Sequence, residues 1–274
     1  MGTPGGTPSP STIPSIALDA AADRLYVATQ QNTRVFDQIS TANGNVSSRS
    51  ISATSVNFLN VSIDPASNTL YTVGPDAVVH VFNNAHTINS STAPSRTITP
   101  DFGASTVVST FGIAIDTTSN LLYVGVDFNG ATSIVVFGNA NAADTTGGAA
   151  LAPSQTLSFG TAPGAFYLDA VHDQLYTAQF DGLIFVFDHA STLTTGTKTP
   201  DRTITLPVTQ TSFSDKQLYV FVDTANDRLY AVNGSTGFIL NGAAAANDPI
   251  TTYTQFAVTV SSPSTVFSAV AVKP

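Results

Sequence analysis

Apolar and polar residues alternate in short runs along the chain, and these runs recur in a fixed order about every fifty residues. Each copy opens with an apolar run that ends in an aspartate, and a Leu-Tyr pair follows with its tyrosine seven residues after the aspartate. The aspartates are Asp19, Asp64, Asp116, Asp169 and Asp223, spaced 45, 52, 53 and 54 residues apart. A constant internal spacing in a repeat of this length is typical of one supersecondary unit copied around a ring or along a solenoid.

The first half of each copy predicts a β-hairpin. Four residues after the aspartate comes Asp or Asn, residue types that favour turns. A second strand follows and carries the pairs Leu25-Tyr26, Leu70-Tyr71, Leu122-Tyr123, Leu175-Tyr176 and Leu229-Tyr230. Successive side chains of a strand point to opposite faces, so the leucines lie on one face and the tyrosines on the other. One of the two sets must therefore lie between neighbouring units.

The second half of each copy predicts two further strands. The third ends in Val-Phe in four copies, as in Val81-Phe82, whereas the fifth copy reads Phe238-Ile239-Leu240. The fourth follows a polar loop and contains Ile51, Ile98, Leu157 or Ile204, and in the fifth copy it lies near Thr251 to Thr259. No segment keeps a helical periodicity for a convincing length. Four short antiparallel strands per copy predict an all-β fold, a single β-propeller with five blades favoured over six.

The chain ends on an apolar run without a partner. Val266 to Val272 repeats the opening strand of a copy, with Lys273 in place of the aspartate, and no further strand follows. A free apolar edge promotes aggregation, so we expect this strand to be paired. It either closes its own ring or is donated to a neighbouring subunit, and closure is favoured because most propellers close on themselves.

Two regions are expected along the chain. Residues 1–14 contain four prolines and three glycines and predict a flexible linker, whereas residues 15–274 form one propeller domain. The linker lacks the basic start and apolar run of a signal peptide. It fits a chain whose export signal was removed, with a disordered cytoplasmic N-terminus as the alternative.

The line "GIAID…NLLYVGV…IVVFGNA…PSQTL" resembles the bacterial β-propeller repeats of the NHL and YVTN types. The resemblance covers nearly the whole chain from Ser15. It implies a propeller fold and an exported protein at the cell surface or outside the cell. It implies no catalytic residue.

Composition argues against nucleic acid and membranes as partners and excludes cysteine chemistry. The net charge is −9, all 18 acidic residues are Asp, and basic residues are scattered singly, which argues against nucleic acid and anionic membranes. No apolar run is long enough for a membrane helix, although a lipid anchor upstream of the linker stays compatible with the sequence. Cysteine is absent, which excludes disulfides and thiolate metal sites.

Candidate chemistry is sparse. The repeated aspartates could ring a channel mouth and hold a cation, but their turn partners favour a structural role. The histidines His80, His86, His172 and His189 share no metal-ligand spacing, and phosphate-binding glycine loops are missing. We therefore predict no catalytic, cofactor-binding or metal residue, and no cofactor. Residues that break the repeat, 127–132 and 141–152 in copy three and 233–237 and 242–248 in copy five, are the first surfaces to consider for binding.

The sequence favours a non-enzymatic binding or scaffold module that recognises a protein partner or self-associates through its terminal strand. A small-molecule hydrolase of the lactonase type, with an Asp/His/Asn site in the channel mouth, is the alternative. A lectin-like propeller is a third hypothesis. It would need aromatic residues between the blades, and tryptophan is absent from the sequence.

Circular dichroism checks the fold class. The spectrum should show β-structure without helical minima, because every copy contains only short strands. A spectrum with clear minima at the helical wavelengths would contradict the propeller.

Overall fold

The computed structural model describes residues 15–43, 46–128, 130–160, 163–179, 182–207, 218–233, 236–248, 250 and 252–257. In this part of the chain the fold is an all-β propeller of five blades, each built from four antiparallel strands. Helical structure in the described residues is limited to three short 3₁₀ turns, at Ile39–Thr41, Ala190–Thr192 and Ala243–Ala245. None of these turns has the length and apolarity needed to span a membrane.

The first two blades follow the predicted strand order. The first contains β1 (Ile16–Asp19), β2 (Arg24–Ala28), β3 (Thr33–Asp37) and β4 (Arg49–Ser52). The second contains β5 (Asn60–Asp64), β6 (Thr69–Val73) and β7 (Val79–Phe82), then the short β8 (Ser90–Ser91), which joins the first blade, and finally β9 (Arg96–Ile98).

The third blade has the longest strands. It contains β10 (Ser109–Asp116), β11 (Leu121–Phe128), β12 (Ala131–Gly138) and β13 (Gln155–Phe159). A β-bulge interrupts the pairing of β10 with β11 between Thr110 and Gly112.

The last two blades complete the described fold. The fourth contains β14 (Pro163–Asp169), β15 (Gln174–Gln179), β16 (Leu183–Asp188) and β18 (Arg202–Thr205), with the short β17 (Gly196–Lys198) joining the third blade. The fifth contains β19 (Leu218–Asp223), β20 (Arg228–Asn233), β21 (Thr236–Asn241) and β22 (Thr254–Ala257), so its fourth strand lies where the sequence predicted it.

The apolar core lies between blades. We call the side of a blade that carries the repeated leucine its leading face and the side that carries the tyrosine its trailing face. Tyr176 of the fourth blade and Leu229 of the fifth share one buried cluster, and Tyr71 and Leu122 join the second and third blades in the same way. The repeated leucines and the repeated tyrosines therefore both lie between blades, on opposite faces of each blade. The sequence required this position for only one of the two sets.

Neighbouring blades are also joined at their outer edges. The short β8, from the second blade's loop, pairs in parallel with β4 of the first, and β17 pairs in parallel with β13 of the third. Pro100 of the second blade makes a parallel bridge to Leu151 of the third. The loop before each fourth strand thus covers the outer edge of the preceding blade, which protects it from pairing with other chains.

Two predicted segments lie outside the described residues. These are the linker of residues 1–14 and the terminal apolar strand at 266–272. The described propeller begins at Ser15 and its last described strand ends at Ala257.

Alanine substitutions at the repeated leucines test the packing between blades. Leu70→Ala, Leu122→Ala and Leu175→Ala should each lower the free energy of unfolding by about 2–5 kcal/mol, because all three side chains are fully buried. Leu25→Ala should cost less, because Leu25 is only half-buried. Urea unfolding measures all four variants, and equal losses at Leu25 and Leu122 would show that the blade assignment is wrong.

Candidate functional site

The repeated aspartates cap turns. Each is buried, and its carboxylate accepts backbone N–H groups of its own hairpin loop. Asp116 Oδ1 accepts from Thr118 and Ser119 at 2.9 and 3.0 Å, and the other four copies make similar bonds. Among the residues that the structure describes, no group of three or more His, Asp or Glu side chains could hold a metal ion. The structural role that the sequence favoured for these residues is confirmed.

The Asp or Asn four positions later has a second structural role. All five adopt the left-handed conformation, with φ between 49° and 56°, at Asp23, Asn68, Asn120, Asp173 and Asp227. Their side chains also accept a backbone N–H from the turn that follows the third strand, as Asp173 does from Ser191 at 2.7 Å. A short polar side chain that tolerates positive φ is therefore required at this position.

An arginine at the start of the fourth strand ties each of three blades to the next. Arg96 Nη1 donates to the carbonyl oxygens of Ala140 and Ala143 at 2.9 and 2.8 Å, and its Nη2 donates to the Tyr71 hydroxyl at 3.3 Å. Arg49 and Arg202 bind equivalent carbonyls of the second and fifth blades. We call these three residues the arginine clamps. Their role was not predicted, although the recurring Arg-Ser/Thr-Ile triplet is a visible signal in the sequence.

The third blade lacks an arginine clamp and uses neutral groups instead. Gln155 stands at the arginine position and accepts the backbone N–H of Thr195, from the fourth blade, at 2.8 Å. The Tyr123 hydroxyl donates to the Ala190 carbonyl at 3.1 Å, and burial raises the pKa of that tyrosine. The same inter-blade contact is thus maintained without a charge.

Charge pairing also orients two of the clamps. Arg202 Nη2 lies 2.9 Å from Asp188, and a hydrogen bond from Arg202 holds the pKa of Asp188 below its usual value. Arg49 acts in the same way on Asp37. Both carboxylates directly follow a Val-Phe pair of the third strand, so the repeat itself places them.

The segments that break the repeat in copies three and five make structural contacts. Strands β11 and β12 continue through the first of them, pairing Asp127 with Thr132 and Phe128 with Ala131, so it is a hairpin tip. The second packs against the outer edge of the second blade, where Thr145 Oγ1 accepts from Thr99 N at 2.8 Å. In copy five, 242–248 likewise binds the fourth blade through Asp248. The loops at 141–152 and 242–248 thus cover the preceding blade, and a binding role for the segments that break the repeat stays a prediction.

The four histidines are dispersed. His80 and His86 lie in the second blade, and His172 and His189 in the fourth. His172 Nδ1 is 2.8 Å from the buried Asp169 in the same hairpin loop, and His189 adopts a left-handed conformation before a 3₁₀ turn. Burial lowers the pKa of His80. The structure brings none of them together across blades.

Aromatic side chains occupy the innermost strands of blades three to five. The Phe111 and Phe166 rings are 6.1 Å apart, and the Tyr167 and Phe221 rings are 5.2 Å apart. Phe166 packs on Gly112 so closely that a Cβ there would lie 2.6 Å from the ring. The Tyr167 hydroxyl donates to the carbonyl of Val222 in the next blade at 3.1 Å. Inter-blade aromatic pairs are therefore present without tryptophan, and they join blades to each other.

Two blade faces are less covered than their counterparts. The first blade's leading face carries Leu25, Phe36 and Ile39, all half-buried. The equivalents of Leu25 and Phe36 in the other blades are buried, as are the alanines that replace Ile39. The fifth blade's trailing face carries Tyr230, Ile239 and Phe256, again half-buried where every equivalent is buried. We call these six residues the end seam.

The end seam separates the two ends of the described ring. Innermost strands contact in the order β1, β5, β10, β14 and β19, and four apolar clusters join consecutive blades. Within the described ranges, no cluster or hydrogen bond of this kind joins the fifth blade to the first. The end seam therefore consists of two apolar blade faces that no other described blade covers. It is the candidate site for association.

No protein-family model matches the sequence, and no curated protein matches it. The five-bladed arrangement agrees with the propeller fold that the resemblance implies. A relation to the NHL and YVTN types and a bacterial origin stay predictions.

Conservative replacement of a clamp tests its contribution. Arg96→Lys should lower the free energy of unfolding by about 1–3 kcal/mol, because lysine cannot present the planar fork that reaches two carbonyls and a hydroxyl. Arg34→Lys is the matched control, since Arg34 is exposed on β3 of the first blade and should change little. Thermal and urea unfolding measure both variants, and equal stability of the two would refute the clamp.

Proposed function

We propose that this protein is an exported, non-enzymatic propeller that acts as a binding or scaffold module at the cell surface or outside the cell. The observation that carries the proposal is that the repeated polar residues make structural hydrogen bonds. The aspartates, the turn residues and the arginine clamps all bind within or between blades. Among the described blades, the two faces that no neighbouring blade covers are the apolar faces of the end seam, which suit association rather than catalysis.

Export is supported by composition. Residues 1–14 are rich in proline and glycine, a composition that fits a surface-displayed module joined through a linker. The net charge of −9 disfavours nucleic acid as the partner. A protein partner or a second copy of the chain is the partner that we propose.

Self-association through the terminal strand is the second part of the proposal. The strand from Val266 to Val272 is apolar, so pairing with a second copy would remove its apolar surface from water. Exchange of such a terminal element between identical chains forms oligomers at low cost.

Removal of Ser264 to Pro274 tests this part. The truncated chain should melt at a lower temperature or lose its assembled state on a sizing column. The reason is that a paired apolar strand stabilises either the fold of its own chain or the assembly of several chains. Removal of Gly2 to Thr12 is the control and should change neither. A C-terminal truncation that melts and elutes like the full chain would contradict the proposal, whereas a change in assembly alone assigns the strand to a neighbour.

The non-enzymatic part has its own test. Hydrolysis of lactones by the full chain, abolished by His172→Ala, would establish the lactonase-type alternative instead.

A further inference from the structure

We propose that Val266 to Val272 binds to the end seam of its own chain, against the trailing face of the fifth blade, in the position of a following blade's first strand. Residues 258–274 lie outside the described residues; the uncovered faces of the end seam and the sequence of this segment support the inference. The inference deepens the proposed function, because it identifies the surface that receives the terminal strand.

The length of the connecting chain fits this position. In the described ring, the fourth strand of one blade connects to the first strand of the next through residues 53–59, 99–108, 160–162 and 206–217. The stretch from the end of β22 to Val266 covers residues 258–265, which is within the range of those four connections. The terminal strand can therefore reach the first-strand position of a following blade without a longer linker.

The side-chain pattern fits as well. Val220 and Val222, three residues and one residue before the repeated Asp223, pack in the cluster that joins the fifth blade to the fourth. Val61 and Ile63 occupy the same positions before Asp64 and pack against the first blade. Val270 and Val272 stand at these positions before Lys273. An apolar pair with this spacing presents one face to the preceding blade.

The tether favours the strand of the same chain. A segment joined to its binding surface by a short connection has an effective concentration in the millimolar range, far above that of free protein at ordinary concentrations. Occupation by a second copy therefore requires exchange, which crowding or high protein concentration promotes. The monomeric protein should bind its own strand.

An engineered disulfide tests the position directly, because the natural chain has no cysteine. Val232 lies two residues after Tyr230 on the fifth blade's trailing face, and its equivalent in the fourth blade is Ala178. Ala178 shares a buried cluster with Val220 of the following first strand. The pair Val232→Cys with Val270→Cys should form a disulfide within one chain under mild oxidation, visible on a non-reducing gel and by mass spectrometry of a monomer.

Two matched pairs calibrate this result. Ala178→Cys with Val220→Cys should also cross-link, whereas Ala178→Cys with Val270→Cys should not. A full chain in which the calibration pair links and the Val232/Val270 pair stays reduced would overturn the inference.

Cross-linked dimers at dilute concentration would also overturn it. That result would assign the strand to a second copy and leave the proposed self-association standing. Conversely, an internal disulfide in a chain that never self-associates would support the inference and refute the assembly part of the proposed function.

Discussion

Contact between the tyrosine face of one blade and the leucine face of the next is the interaction on which the rest of the structure depends. A four-stranded sheet this small cannot bury both of its faces alone, so each blade is stable only where neighbours cover it. Tyr123 and Leu175 illustrate the arrangement, since both are fully buried in one cluster between the third and fourth blades. Hydrogen bonds at the blade edges join the same neighbouring blades.

The arginine clamps show how the ring handles polar atoms at these contacts. Carbonyl groups in the turn after the third strand of one blade accept hydrogen bonds from an arginine of the preceding blade. Arg202 binds two such carbonyls while Asp188 holds its guanidinium in place. At the third blade the Tyr123 hydroxyl donates to the carbonyl of Ala190 instead, so a neutral donor can also make this contact.

Much of the fold was predictable because one short signal recurs five times. An aspartate, a turn residue and a Leu-Tyr pair at constant spacing define a hairpin, and the pattern placed even the atypical fourth strand of the fifth blade. The role of the loops was not predictable in the same way. Thr145 and Asp248 lie in polar, glycine- and alanine-rich stretches that look mobile, and only the ring brings them against the preceding blade. The end seam also escaped prediction, because Leu25 and Tyr230 resemble their buried counterparts in sequence and differ only in neighbours.

The chain of blade-to-blade contacts has a consequence for how the molecule opens. When each unit is stabilised chiefly by its neighbours, the free energy of opening varies along the array and is smallest at its ends. The central contact between the second and third blades has covered faces on both sides, whereas the first and fifth blades border the end seam. Amide protons of β2 and β20 should therefore exchange with solvent before those of β11, and fraying would proceed inward from either end.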